Sequence, residues 1–261
     1  MAANKVNSQT SWWLSLGEKY ARQHVRTARQ MPNILREAWR YVHAHRRYAS
    51  AAAEAGINIT LVPFPQLMDR SRTTPFDPHY VHQGPWTLRH LTATKPKLHV
   101  DIASYVGYLG FFATVAPTEF VDIRPVKLGM PGVTEHEGSV LKLPYDDQSL
   151  ASVSCLHVVE HIGLGRYGDP LDPLGTAHAC AELARVLAPG GILYLSAPIG
   201  RPRVCFNAHR VHSMEQLRQY TAPLRLLSFD AVLDNGSYVE DCDSEIITTQ
   251  EYACGLFRFT R

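Results

Sequence analysis

Between residues 98 and 200 four short apolar runs recur in a fixed order, each followed by a loop of its own chemistry. LHVDIASYVGYLGFF, beginning at Leu98, reads as a strand that ends at Asp101 and enters a tight turn. FVDIRP reads as a second strand, ending at Asp122. SVLKLPYDDQSLASVSCLHVVEHI combines a Leu-Pro-Tyr turn, a strand and the start of a helix. ELARVLAPGGILYLSAP gives a helix, a stop and turn over Leu187–Gly191, and a buried strand. Strands that alternate with helices demand a parallel sheet, because parallel neighbours need a crossover between them. Ligands of such sheets bind beyond the carboxyl ends of the strands. Asp101, Asp122 and His157 all fall at such ends.

The rest of the chain sets this core in context. Hydrophobic residues make up 45% and charged residues 19%, ordinary values for a globular chain long enough for one large domain with an appendage. No apolar run approaches the roughly 20 residues of a membrane-spanning helix. The N-terminus lacks the apolar stretch of a signal peptide. Five scattered cysteines, never paired as C-x-x-C, suggest reduced thiols and a cytoplasmic setting.

Residues 1–56 form a basic helical extension in this reading. The first 50 residues carry a net charge of +7 and the remainder −5. Ser11 is the expected cap of a first helix, and Pro32 separates it from a second that ends before Gly56. Arg22, Arg26, Arg29, Arg36, Arg40 and Arg47 follow one helical stripe, with Trp12, Trp13, Trp39 and Tyr41 as aromatic surface. The stripe suits contact with an anionic membrane surface or a protein, and nucleic acid less well. The plainer reading is a solvated face or a lid. Residues 57–97 are expected to connect irregularly, with a short strand at INITLV and prolines at 63, 65, 75, 78, 85 and 96. Within them Asp77–Trp86 concentrates histidines and aromatics. His79 and His82 alone are a poor metal signal, and no metal is expected.

The ordered strings D-I-A-S-Y-V-G, V-D-I-R-P, L-P-Y-D-D-Q-S-L, L-H-V-V-E-H-I and R-V-L-A-P-G-G resemble class I S-adenosylmethionine-dependent methyltransferases of the small-molecule, type 11 kind. S-C-L-H-V-V-E-H-I-G-L-G-R-Y-G-D-P and F-N-A-H-R narrow the resemblance to an uncharacterised domain-of-unknown-function branch. It implies an α/β, doubly wound, mostly parallel seven-stranded Rossmann-like sheet over residues 98–261. The implied cofactor is S-adenosylmethionine and the implied acceptor a small or glycan-like molecule.

Residue by residue, the resemblance puts Ala103, Ser104, Tyr105 and Gly107 in the glycine turn beside the cofactor's methionine part. Only Gly107 of three customary glycines stands there, and Tyr105 introduces a ring. Asp101 would accept from the cofactor's ammonium. Asp122 would accept from the ribose hydroxyls, or else cap the next helix, with Arg124 orienting it and Ile123 against the adenine. Ser139, Val140 and Leu141 take the place of an adenine-reading aspartate. His157 would line the cofactor or act as base, or simply pack. Arg166, Tyr167 and Asp169 in a glycine-rich loop, and Asn207, His209 and Arg210 after the next strand, would face the acceptor, with His209 and Asp169 as further acid–base candidates.

Two other functions compete with this one. A closed cofactor pocket would make the chain a non-catalytic methyltransferase-like binding module. His157-Val-Val-Glu-His161 also matches the H-x-x-E-H string of zinc peptidases, which requires both histidines on one helix and a third ligand.

Overall fold

The computed structural model describes residues 9–57, 60–67, 73–124 and 126–261, with side chains from residue 31 onward. The chain divides into two compact units at Pro75/Phe76. In the first, α1 (Gln9–Glu54) runs through Pro32. The expected break at Pro32 and cap at Ser11 are therefore corrected to one helix. An interior proline costs about 3 kcal/mol, but helix formers flank it on both sides. Gly56 ends α1 at φ +65°, where only glycine is unstrained. The amides of Gly56 and Ile57 turn back onto Ala53 and Ala52, closing the last carbonyls. The side chains of Trp12, Trp13, Arg22, Arg26 and Arg29 lie outside the described residues. So do Asn58 and Ile59 of the expected INITLV strand, whose other residues are not in a strand.

The second unit starts with a helix where an irregular connection was expected. α2 (Pro78–Thr94) is capped by Asp77, whose side chain accepts from the His79 amide at 2.9 Å, and Pro78 occupies its first turn. There the missing amide hydrogen costs nothing. The prolines that suggested a loop thus include a helix start. Along the chain follow β1 (His99–Ile102), α3 (Leu109–Ala113), β2 (Thr118–Asp122), β3 (Val133–Glu137), β4 (Leu150–Leu156), α4 (Gly175–Val186) and β5 (Leu187–Ile199). Next come the hairpin strands β6 (Arg203–Cys205) and β7 (His209–Val211), then α5 (Met214–Tyr220), β8 (Arg225–Val232), β9 (Tyr238–Val239), α6 (Ser244–Ile247) and β10 (Ala253–Thr260). Ser213 caps α5 reciprocally with Gln216.

The main sheet has eight strands in the order β3-β2-β1-β4-β5-β10-β8-β9, one more than expected because β9 pairs with the edge of β8. β3 to β5 run parallel, and β10 inserts antiparallel between β5 and β8. Leu187–Gly191 is not a simple stop. Leu187 already pairs with Leu150, and Ala188–Gly191 bulge before Ile192 pairs with Ser152. Both faces are covered. Ala179, Cys180, Leu183 and Ala184 of α4 bury against Val153, Cys155, Leu193 and Leu195. Trp86 and Leu91 of α2 with Phe112 of α3 bury against Leu156, Tyr194, Val232 and Leu256. The alternation of Leu193 and Leu195 with Tyr194 is the period of two that such a strand requires.

The strand order reverses between β1 and β4, so a crevice opens beyond their carboxyl ends. Beneath it lies a buried polar chain. Ser154 Oγ donates to Asp101 Oδ2, so it accepts from His99 Nε2 at 2.9 Å, and His99 Nδ1 accepts from Ser152 at 2.9 Å. Burial pulls His99 down to about 3. The unfolded chain therefore binds one proton more than the folded one between the ordinary histidine range and about 3, and stability falls as pH falls through that window. His99→Gln is expected to flatten the pH dependence of the urea midpoint by one proton there. An unchanged slope would mean that His99 is not the group responsible.

Candidate functional site

Two adjoining cavities, of about 260 and 310 Å³, occupy the crevice. Each approaches the size usual for a small-molecule site, roughly 300–1,000 Å³. Ala103, Asp122, Arg124, His157, His161 and Tyr167 line both. The first cavity adds Ile123, Ser139, Val140 and Leu141; the second adds Tyr80, Ser104, Tyr105 and Val106.

The turn after β1 is built from Ala103 at φ +54°, a conformation that glycine takes more readily. Asp101 stands behind this turn and lines neither cavity. Its Oδ1 accepts from the Ser104 amide at 3.1 Å, and Ser104 Oγ accepts from the Leu156 amide at 3.0 Å. Burial pushes the Asp101 carboxyl up to about 6. The expected contact of Asp101 with an ammonium is thus replaced by a bracing role between β1 and β4. Gly107 also lines neither cavity. A Cβ there would strike the Tyr105 ring, so Gly107 makes room for that ring rather than for a ligand. Tyr105 is half exposed, edge-on to Tyr80 and Tyr108 at 5.9 and 5.3 Å, at the rim of the second cavity.

Asp122 ends β2 with 7% of its surface exposed. Oδ1 accepts from the Arg124 amide at 2.7 Å and lies 3.3 Å from Arg124 Nε. Among the described residues Oδ2 has no hydrogen-bond partner, which leaves a carboxylate oxygen for a ligand in the cleft. Ile123 and Leu141 are partly exposed and Val140 is buried, giving the first cavity apolar walls. Ser139 Oγ accepts from the Leu141 amide at 3.2 Å.

Tyr167 lies between two guanidinium groups, Arg124 at 4.7 Å and Arg166 at 5.1 Å from its ring centre. Such stacking favours cations over a ring face and lays the loop across the cleft. Asp169 anchors that loop, accepting from Gly163 N at 2.6 Å and Tyr167 N at 3.2 Å. Partial burial would raise its carboxyl, but these backbone bonds outweigh it and hold the group low. It is corrected from catalytic acid–base to loop anchor. Arg210 is likewise corrected. Buried, it donates to the carbonyls of Ile162 at 2.5 Å and Asp172 at 2.8 Å, so it holds the loop and not an acceptor. Arg166 donates to Ala208 O at 3.1 Å and His161 Nδ1 sits 2.7 Å from the same oxygen, which joins the two expected acceptor segments. Asn207 is exposed, and neither it nor Arg166 lines a cavity. His209 packs its ring 4.9 Å from Tyr252.

His157 follows β4 at φ +57° and is buried. A hydrogen-bond chain fixes its tautomer. The Tyr80 carbonyl can only accept, so Tyr108 OH donates to it at 2.6 Å and accepts from Gln83 Nε2 at 3.2 Å. Gln83 Oε1 then accepts from Ser196 Oγ at 2.6 Å, and Ser196 Oγ, 3.4 Å from His157 Nδ1, is left to accept. The proton sits on Nδ1, and Nε2 carries the lone pair. That lone pair faces His79 Nδ1 at 3.1 Å. A general base opening onto the cleft is therefore corrected to a buried imidazole whose acceptor nitrogen is turned to α2. Burial holds its pKa well below the usual range.

The H-x-x-E-H reading fails on geometry. Only Val159–His161 form a short 3-10 turn, and His157 precedes it in the left-handed region. Glu160 is instead fully buried, its Oε1 3.6 Å from His157 Nδ1 and its Oε2 without a partner among the described residues. Burial pushes this carboxyl up to about 8. Tyr252 and Cys254 carry no local motif, and the fold brings them to His79 and His157 from separate elements. His79 stood within the segment singled out at Asp77–Trp86, but its partners lie 78 residues or more away.

A family model described as "Caenorhabditis protein of unknown function, DUF268" matches residues 144–230. No curated protein matches this chain. Among solved structures, a putative sarcosine dimethylglycine methyltransferase from Galdieria sulphuraria aligns at 15% identity and TM-score 0.50, over 69% of this chain and 85% of that one. The N-methyltransferase NodS from Bradyrhizobium japonicum, in complex with S-adenosyl-L-homocysteine, aligns at 15% identity and TM-score 0.49, over 71% of this chain and 88% of that one. The fold is that of the class I S-adenosylmethionine-dependent methyltransferases. No helix among the described residues is long and apolar enough to cross a membrane.

Proposed function

We propose that this chain transfers a methyl group from S-adenosylmethionine to a small-molecule or glycan-like acceptor. The observation that carries this reading is Asp122, at the carboxyl end of β2 in the cleft, with one carboxylate oxygen committed to Arg124 and the other free beside apolar walls. Two ribose hydroxyls can donate to such an oxygen. Ile123, Val140 and Leu141 offer flat apolar surface to an adenine, and Ser139 a hydroxyl at its edge. The turn at Ala103 and Ser104 borders the second cavity, where the amino-acid part would extend. Bound there, the cofactor would supply an electrophilic methyl on its sulfonium. The chain then has to exclude water and align the acceptor. Tyr167, held between Arg124 and Arg166, covers the cleft, and Tyr80, Tyr105 and His157 wall the acceptor side. The exposed Arg36, Arg46 and Arg47 near Trp39 support contact of α1 with an anionic membrane surface or a protein.

Calorimetric titration of the full chain with S-adenosylmethionine tests the reading. One saturable site is expected, competed by S-adenosylhomocysteine. The second reading, a binding module without catalysis, draws support from Tyr105 and Ala103 in the customary glycine positions. It takes over if neither compound binds.

A further inference from the structure

The aromatic wall of the second cavity hides a donor set that the methyl-transfer reading does not use. A ring nitrogen of His79 from α2, a ring nitrogen of His157 after β4 and Cys254 Sγ from β10 all lie within 4.8 Å of one another, and His79 Nδ1 is 3.1 Å from His157 Nε2. All three residues are buried. We propose that His79, His157 and Cys254 bind one zinc-like divalent cation, with a fourth position left for water or an acceptor atom.

Three observations support this site. The first is the tautomer. The chain from Tyr80 through Tyr108, Gln83 and Ser196 keeps the proton of His157 on Nδ1, so Nε2 presents a lone pair to His79. His79 Nδ1, which faces that lone pair, would give up the proton it shares with it when a cation binds. Two nitrogens 3.1 Å apart then need a proton or a cation between them. A tetrahedral ion at about 2.0–2.1 Å from nitrogen and about 2.3 Å from sulfur separates its donors by roughly 3.3–3.6 Å, close to this spacing.

The second observation is the outer contact. Glu160 Oε1 lies 3.6 Å from His157 Nδ1, the nitrogen turned away from the donor set. Metal-bound histidines commonly give that hydrogen to a fixed outer acceptor; here it goes to Ser196 Oγ at 3.4 Å, with the Glu160 carboxyl beside it. The third is charge. Glu160 Oε2 is buried with no hydrogen-bond partner among the described residues, an expensive arrangement without compensation. A dication held beside it by His157 would compensate this buried group. Histidine nitrogen and cysteine sulfur are donors that zinc takes, and three protein ligands leave a tetrahedral ion one open position. His157 lines the second cavity, so that position adjoins the acceptor side.

The test uses the full chain stripped with chelator and titrated with Co²⁺, then with Zn²⁺ in competition. One Co²⁺ per chain is expected, with a near-ultraviolet thiolate-to-cobalt charge-transfer band that Zn²⁺ abolishes. Cys254→Ser should lose the band and bind at least tenfold more weakly, whereas Cys180→Ser, at a buried cysteine of α4, should keep both. If Cys254→Ser fails to fold, His79→Gln serves, with the same tenfold loss expected. Folded wild-type chain that binds no Co²⁺, or a band that survives Cys254→Ser or His79→Gln unchanged, overturns the site. Titration with S-adenosylmethionine on stripped and loaded chain keeps the two proposals apart: cofactor binding without cobalt binding sinks only the metal, and the converse sinks only the methyl donor.

Discussion

Trp86→Ala is expected to lower the unfolding free energy by about 3–5 kcal/mol, the range for a large aromatic side chain removed from a core. Trp86 is 1% exposed and joins α2 to the sheet face made by Tyr194, Val232 and Leu256. Its ring stands edge-on to Tyr194 at 6.0 Å and to His90 at 5.1 Å. The indole also donates to Asp230 Oδ2 at 2.8 Å, an oxygen that Tyr238 OH reaches at 2.6 Å, while Oδ1 accepts from the Asp241 amide at 3.0 Å. Alanine opens a cavity and takes one of three donors from a buried carboxylate. Trp86→Phe helps to separate the two losses, because it keeps a six-membered ring and so opens a smaller cavity while giving up the indole hydrogen bond, the latter at a cost of about 1–3 kcal/mol. Urea unfolding of the three proteins is the measurement. A Trp86→Ala loss below about 1 kcal/mol would show that α2 does not hold the sheet. Because α2 also carries His79, Tyr80 and Gln83, its docking fixes the wall of the second cavity.

That helix marks where the sequence was hard to read. Strands β1, β2, β4 and β5 announced themselves as apolar runs with acidic or polar ends, since a strand covered on both faces tolerates few polar side chains. Ser213 followed three residues on by Gln216 is the pattern of a capping box, and it stands at the start of α5. Residues 78–94 carry no such stripe, and Pro78 and Pro85 mimic a loop. Only the Asp77-Pro78 pair, a cap followed by a first-turn proline, signals a helix. Pro32 misled in the opposite direction.

The site shows the same division. Asp122, Ile123, Ser139, Val140 and Leu141 follow strand ends directly, so local pattern brings them to the cleft. Asp101 and Arg210 have the right position and the wrong direction. Asp101 turns to Ser104 and Ser154, and Arg210 turns to the Ile162–Asp172 loop. A strand-end residue lies near the edge, but its rotamer depends on partners from distant segments. His79, His157 and Cys254 meet only because α2 crosses the sheet end and β10 returns antiparallel beside β5, a juxtaposition that no local string encodes.

Asp122→Ala is expected to weaken S-adenosylmethionine binding about 10- to 150-fold, equivalent to losing a charged hydrogen bond of about 1.5–3 kcal/mol. The free Oδ2 would accept from ribose hydroxyls, and Asp122 is only 7% exposed, so an unmade bond there is costly. Alanine also removes the Oδ1 contacts to Arg124, so a loop effect has to be separated from a ligand effect. Asp122→Asn does this: it keeps a carbonyl oxygen for the Arg124 amide and takes the charge from the cleft. The asparagine variant should fall between wild type and alanine in affinity, and its thermal midpoint without ligand should stay near wild type. Equal affinity for all three folded proteins would remove Asp122 from the ligand site. The decisive comparison is salt dependence. The Asp122–Arg124 pair is exposed on its arginine side and is screened by salt. A bond from Oδ2 to a ribose inside the cleft is screened far less, so the affinity gap between wild type and Asp122→Ala should persist at high ionic strength.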